Sequence, residues 1–251
     1  MSKLECLWPV PASHPKLAPG EVHLWALRLD LPDPTIANLK CLLSPDELTR
    51  AARYRFAQLG HRFIACRGQV RQILAAYLNE QPALLQFQLG PRGKPALDPG
   101  HNNADFHFNV SNSKELALCA VALGQEIGVD VEFIHEGPDI ENLADRFFAK
   151  LEADELGALP DQARLNAFYR CWTRKEAVLK AVGTGLSFPL SQIVVSIDAP
   201  GPLRVVSFAQ DPMAAGNWWL AHLEPASGYV GAVAAPVPTL QPICWQWAPP
   251  I

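Results

Sequence analysis

Glu176 and Lys180 lie four residues apart in the stretch Tyr169 to Leu186, YRCWTRKEAVLKAVGTGL. Apolar or aromatic residues recur there at Tyr169, Trp172, Ala177, Leu179 and Ala181, with Arg, Lys and Glu between them, which is the pattern of a helix. Four-residue spacing projects both charged side chains from one side of it. Taken alone, that is a surface ion pair contributing a few tenths of a kcal/mol. A second stretch changes the reading. GVDVE, at Gly128 to Glu132, alternates as a strand does, so Asp130 and Glu132 share one face while Val129 and Val131 share the other. Neighbouring carboxylates repel, a cost normally tolerated when a cation sits between them. A third carboxylate from a nearby helix would complete an oxygen-rich Mg²⁺ site with room for phosphate ligands.

The elements that must position these groups can be followed along the chain. The proline-rich residues 1–20 read as an irregular surface arm, and Val22 to Leu29 alternates as a first strand. Ser44-Pro45-Asp46-Glu47 starts a helix, with Ser44 as its cap and Pro45 at the first helical position, running on through Arg50 and Arg53. A longer helix covers Gly60 to Leu78, dense in arginine, with Phe63, Val70, Leu74 and Tyr77 on its apolar face. Leu85 to Leu89 is a short strand, followed by the turn-rich GPRGKPAL. Phe106 to Leu123 reads as two strands about a turn at Ser111 to Lys114.

The second half repeats this plan. A strand at Ile127 to Phe133 precedes helices at Ile140 to Phe147, Lys150 to Leu156 and Asp161 to Val182, the last ending at Gly183 and Gly185. Strands follow at Ile193 to Ile197 and Leu203 to Phe208, then a hairpin of Trp218 to Leu223 and Tyr229 to Ala235. AKLEADEL at Ala149 to Leu156 echoes LSPDEL at Leu43 to Leu48. The last fifteen residues, rich in proline and tryptophan, show no pattern.

The 251 residues suffice for one large domain or two smaller ones, and 49% hydrophobic with 18% charged residues is an ordinary globular composition. A net charge of −4 gives no basic excess pointing to nucleic acid. The six cysteines are scattered without a C-x-x-C pair, which reads as reduced thiols in a cytoplasmic protein. The N-terminus is too broken by proline for a signal peptide, and no apolar run approaches a membrane span. His61, His101 and His107 show no ligand spacing. Trp218 and Trp219 alternate faces, so one is expected in the core and the other exposed.

GVDVE followed by W-T-x-K-E-A-x-x-K resembles the signature of 4′-phosphopantetheinyl transferases of the large, Sfp type. The likeness runs over about Leu43 to Leu190, and at the two ends only in general pattern. It implies an α+β fold of two similar halves related by a pseudo-twofold axis, here residues 1–124 and 125–251, with coenzyme A between them. The first half would bind the nucleotide end and the second would carry the Mg²⁺ site. It further implies a cytoplasmic monomer that moves phosphopantetheine from coenzyme A to a serine of an apo carrier protein, releasing adenosine 3′,5′-bisphosphate.

By that resemblance Asp130, Glu132 and Glu176 hold Mg²⁺, and Asp130 and Lys180 also meet coenzyme A. Lys180 would neutralise the leaving phosphate, and Glu176 or a metal-bound water would accept the serine proton. Arg50 and Lys94, the lysine of a G-K-P turn, would grip the 3′-phosphate. Arg53, Arg62 and Arg92 are further candidates, set against the ordinary reading of surface arginines as merely solvated. FNVSNS, at Phe108 to Ser113, is similar to the family's F-N-x-S-H-S, which brings Asn109, Ser111 and Asn112 to the nucleotide end. Asn112 replaces the family's histidine and removes a cation from that position. Phe147 and Phe148 either border a carrier-protein groove or pack the core. Two rival readings remain at this point: a metal-dependent nuclease, and a carrier- or coenzyme A-binding module without activity.

Overall fold

Six of the eight residues of β1 (Glu21–Arg28) are buried, which makes it the axis of the first sheet. Three helices follow, α1 (Asp33–Lys40), α2 (Pro45–Ala52) and α3 (Ala57–Leu78). A small hairpin of β2 (Phe87–Leu89) and β3 (Pro95–Leu97) leads into β4 (Phe106–Ser113) and β5 (Leu116–Leu123). The plan then repeats: β6 (Gly128–Phe133), helices α4 (Ile140–Phe147), α5 (Lys150–Gly157) and α6 (Asp161–Val182), and a small hairpin of β7 (Ile193–Val195) and β8 (Val205–Phe208). β9 (Trp219–Leu223), β10 (Tyr229–Ala235) and β11 (Gln241–Gln246) close the chain. This computed structural model describes residues 8–90, 93–101, 105–183, 188–197, 203–209 and 215–248.

The sheets repeat as well. β1 pairs antiparallel with β5, and β5 with β4; β6 pairs antiparallel with β10, and β10 with β9. In each half the first strand thus lies beside the last, and one long helix crosses behind. The mixed α+β class expected from the sequence is the one found. β11 has no counterpart in this scheme. It pairs parallel with β1, so the end of the chain returns to the first sheet.

Local chemistry explains both the agreements and the departures. Ser44 caps α2: its hydroxyl accepts from Glu47 N, while the Glu47 carboxylate accepts from Ser44 N at 3.0 Å. Gly183 ends α6 at φ 70°, in the left-handed region that glycine enters freely. α1 was not legible because Pro32 and Pro34 look like breakers. They fall at the cap and in the first turn, where a missing N–H costs nothing, and Ile36 and Leu39 then bury the inner face. β11 was hidden by Pro242, which an edge strand tolerates. β4 runs on through Ser113, so the expected four-residue turn shrinks to Lys114-Glu115, because the polar residues that looked like a turn find partners across the molecule.

Trp218 and Trp219 do face opposite ways, one onto the second-half core and the other onto the core between the sheets. Both are half-buried, so neither is the exposed residue expected. Phe148 is core, stacked on Phe168 at 5.3 Å, and Phe147 meets Trp172 edge-on at 5.8 Å. Cys41, Cys66, Cys119, Cys171 and Cys244 are free thiols. Among the described residues no helix is long and apolar enough to cross a membrane.

One contact fixes how α6 lies on β6. A Cβ built on Gly128 would stand 2.0 Å from Ala177 O and 2.3 Å from Ala181 N, so the helix backbone rests directly on the strand. Only glycine permits that approach. Gly128→Ala is therefore expected to force helix and strand apart at an overpacking cost of about 1–3 kcal/mol. Differential scanning calorimetry should show Tm lowered by several degrees, and an unchanged Tm would refute so close a seat.

Candidate active site

Helix α6 delivers Glu176 and Lys180, strand β6 delivers Asp130 and Glu132, and strand β4 closes the third side. All four charged groups line one cavity of about 410 Å³, shared with Ser111, Asn112, Val110 and Trp172. The Lys180 ammonium donates to Asp130 Oδ1 at 2.6 Å and to Ser111 Oγ at 2.8 Å. Ser111 in turn donates to the same Asp130 oxygen at 2.8 Å. Asp130 is only 3% exposed, so these two donors stand where bulk water would otherwise solvate that oxygen.

The remaining carboxylate oxygens are short of partners. Asp130 Oδ2 and Glu176 Oε1 are buried with no hydrogen bond. Burial, followed by repulsion from Asp130, pushes the carboxyls of both Glu132 and Glu176 above the usual carboxylate range. Orphaned anionic oxygens around a polar cavity suit a hard, oxygen-ligated cation such as Mg²⁺. The fit has a limit, however. Among the described residues no group of three or more His, Cys, Asp or Glu forms a ready-made metal site. Lys180 already neutralises part of Asp130, so a cation here would draw further oxygens from a ligand, as Mg²⁺ commonly does from phosphates.

The other expected binding residues divide between two further cavities. Lys94 lines one of about 630 Å³ with His107, Phe108, Glu126 and Gly183. Its ammonium is not free: it donates to Glu126 Oε2 at 2.5 Å and to Ile127 O at 3.2 Å. Arg50 lines the other, of about 430 Å³, with Arg62, Arg67, Asn112 and Lys114, and its guanidinium lies 5.2 Å over the Phe63 ring. Arg50 and Lys94 thus face different cavities, which meet at Pro95. Arg62 forms a bidentate pair with Asp30, at 2.7 and 2.6 Å. Arg53 is exposed at the C-terminus of α2 and is not among the residues lining the cavity of Arg50. Arg92 lies outside the described residues, as does Gly185.

Asn109 has a different position from the one expected. It is 6% exposed, and its Oδ1 accepts from Val129 N at 2.9 Å, so its side chain clamps β4 to β6. Asn112 is exposed and lines both the acid-lined cavity and the arginine-lined one. Sequence reasoning passed over Trp172, although it precedes Glu176 by one helical turn and so shares its face. Glu126 was also unforeseen, because its partners Lys94 and His107 lie far from it in the sequence.

An acid-lined cavity with one lysine on its wall is the equipment of an enzyme that works on phosphates. The model of the 4′-phosphopantetheinyl transferase superfamily matches residues 126–234. The 4′-phosphopantetheinyl transferase HetI of Nostoc sp. is 38% identical over 231 residues, covering 92% of this chain and 94% of that protein. The 4′-phosphopantetheinyl transferase Sfp of Bacillus subtilis is 28% identical over 196 residues, covering 78% and 83%. The chain belongs to the 4′-phosphopantetheinyl transferase family.

The cluster beside Lys94 has a defined pH window. Glu126, then Asp105, hold His107 above its ordinary 6.5, against the effect of burial. Its stabilising share is therefore complete below 6.5 and fades as pH rises through the raised value. Glu126 is held down to about 2, chiefly by His107, so its share is present above 4.5 and is lost as pH falls towards about 2. The pair stabilises most between 4.5 and 6.5. His107→Gln should accordingly lower Tm most at about pH 5.5, with the gap to the wild type closing as pH rises through the raised His107 value. Thermal melts across that range decide it, and a gap of constant size would show that His107 acts through packing alone.

Proposed function

We propose that this chain transfers the 4′-phosphopantetheine group of coenzyme A to a serine of an apo carrier protein in an Mg²⁺-dependent reaction. The observation that carries this is the meeting of Asp130, Glu132, Glu176 and Lys180 in one cavity that leaves carboxylate oxygens without partners. The serine oxygen attacks the β-phosphorus of coenzyme A. The bond from that phosphorus to the bridging oxygen breaks, and adenosine 3′,5′-bisphosphate leaves. Little covalent work falls to the protein, since positioning and charge neutralisation dominate such transfers.

Asp130, Glu132 and Glu176 would hold the metal together with the pyrophosphate oxygens. The chemistry a bound Mg²⁺ supplies is neutralisation of charge on the non-bridging oxygens. Glu176 or a metal-bound water would take the serine proton. Lys180, tethered to Asp130 and Ser111, stands ready to neutralise the leaving phosphate. Arg50 and Lys94 hold the 3′-phosphate end from the two neighbouring cavities, which requires Lys94 to give up Glu126. The chain acts as a cytoplasmic monomer, its halves at residues 1–124 and 125–251 serving as a pseudo-dimer.

The direct test is the mass of an apo carrier protein after incubation with this protein, coenzyme A and Mg²⁺. A gain of one phosphopantetheine is expected, and none without metal. Glu176→Ala should lower the transfer rate on the order of a hundredfold or more, as loss of transition-state charge stabilisation does. Near-normal turnover in that variant would remove Glu176 from the mechanism.

A second measurement addresses the nucleotide end. Arg50→Ala should weaken coenzyme A while leaving dephospho-coenzyme A, which lacks the 3′-phosphate, almost unaffected. Calorimetric titration of both ligands separates the cases, and equal weakening would move Arg50 away from the 3′-phosphate.

A further inference from the structure

β4 and β6 belong to different sheets, yet β4 answers β6 residue for residue with side chains where a neighbouring strand would use its backbone. Asn109, Ser111 and Ser113 alternate along one face of β4. Asn109 Oδ1 accepts from Val129 N at 2.9 Å, and Ser111 Oγ donates to Asp130 at 2.8 Å. Ser113 does two things at once. Its Oγ accepts from Phe133 N at 3.1 Å and donates to Glu132 Oε2 at 2.8 Å.

A serine hydroxyl carries one hydrogen and two lone pairs, and its rotor is normally free. Here the Phe133 N–H occupies a lone pair and thereby settles the direction of the hydrogen, which can only go to Glu132. The donated bond fixes Glu132 Oε2 and leaves the other oxygen of that carboxylate for a further partner. Glu132 is in need of such a tether. It is half-buried at the end of a strand, it is repelled by Asp130, and Lys180 is committed to Asp130 and Ser111.

We propose that Ser113 is a positioning residue that acts through Glu132: it holds the carboxylate in the orientation that binds the divalent cation. This rests on the reading that Glu132 is a ligand of that cation, and it adds a residue outside the charged quartet. Hydrogen-bond partners of metal ligands generally matter at the level of about 10–100-fold in metal affinity.

Threonine and valine at this position test it, because both are β-branched, both suit a strand and they differ only in the hydroxyl. The measurement is calorimetric titration of Mn²⁺ into the coenzyme A-loaded protein, with no carrier present, alongside the Tm of each variant. Ser113→Thr should bind Mn²⁺ as the wild type does. Ser113→Val should bind it about tenfold more weakly. In transfer assays, Ser113→Val should need more Mg²⁺ for half-maximal rate and recover most of its kcat when saturated. Equal Mn²⁺ affinity in the two variants, with the wild type binding normally, overturns the role of Ser113 and leaves the reading of the site intact. A wild-type protein that takes up no Mn²⁺ overturns the metal reading itself, and the proposal with it. If Ser113→Val does not fold, the same comparison is made with Ser113→Ala, whose smaller side chain cannot overfill the site.

Discussion

The seat of α6 on Gly128 is the constraint from which the site follows. With no Cβ between them, the helix backbone at Ala177 and Ala181 comes down onto the strand. Glu176 and Lys180 flank that contact on the helix, and Asp130 follows it by two residues on the strand. A few ångströms of extra spacing would take the Lys180 ammonium out of reach of Asp130, which it now meets at 2.6 Å. The carboxylate pair on β6 is unfavourable by itself, and burial makes it more so. What offsets it is the helix brought so near, together with the hydroxyls that β4 presents from the other side.

The same helix is pinned from behind by a buried ion pair. Lys175 and Glu152 are both fully buried and bonded to each other; Lys175 also donates to Ile193 O, and Glu152 accepts from Ala149 N and Val195 N. The first half contains a matching device, in which Glu47 caps α2 and receives Arg71 at 2.8 Å and Arg67 at 2.6 Å. Arg71 and Lys175 are each the fifteenth residue of a 22-residue helix. Breaking such a pair by removing one partner costs about 3–5 kcal/mol, since a buried charge is left behind. The two halves therefore share a scaffold. They do not share chemistry: counted along the same helices, Glu176 answers to Gln72 and Lys180 to Ala76. α3 therefore does not repeat the carboxylate and ammonium that α6 carries.

Much of this was legible because it is local. Capping at Ser44, the stop at Gly183, the spacing of Glu176 and Lys180 and the alternation of GVDVE each depend on a few neighbouring residues. What escaped was decided at a distance. Pro242 lies in a strand only because β1 offers an edge, and Ser111 and Ser113 extend β4 only because β6 supplies Asp130, Glu132 and the Phe133 amide. Lys94 read as a 3′-phosphate contact, and Glu126, 32 residues later, occupies its ammonium. Asn109 read as a ligand contact, and a backbone amide of β6 claims its oxygen. The motifs named the groups, while long-range partners set the state each one is in.

Asn112 shows how those states combine. It stands exposed on β4 between an acid-lined cavity and one lined by Arg50, Arg62, Arg67 and Lys114, with Ser111 before it and Ser113 after it facing the other way, onto β6. A strand puts alternate residues on opposite faces, so the residue between two carboxylate-holding serines must look outward. That position borders both a demand for cations and a supply of them. A neutral amide can donate to a phosphate or accept from a guanidinium without disturbing either side. A protonated imidazole would instead add a charge that the crowded arginine side must tolerate and the carboxylate side would attract. Arg50 and Lys114 line the cavity on that side, so the positive charge of that rim does not depend on residue 112.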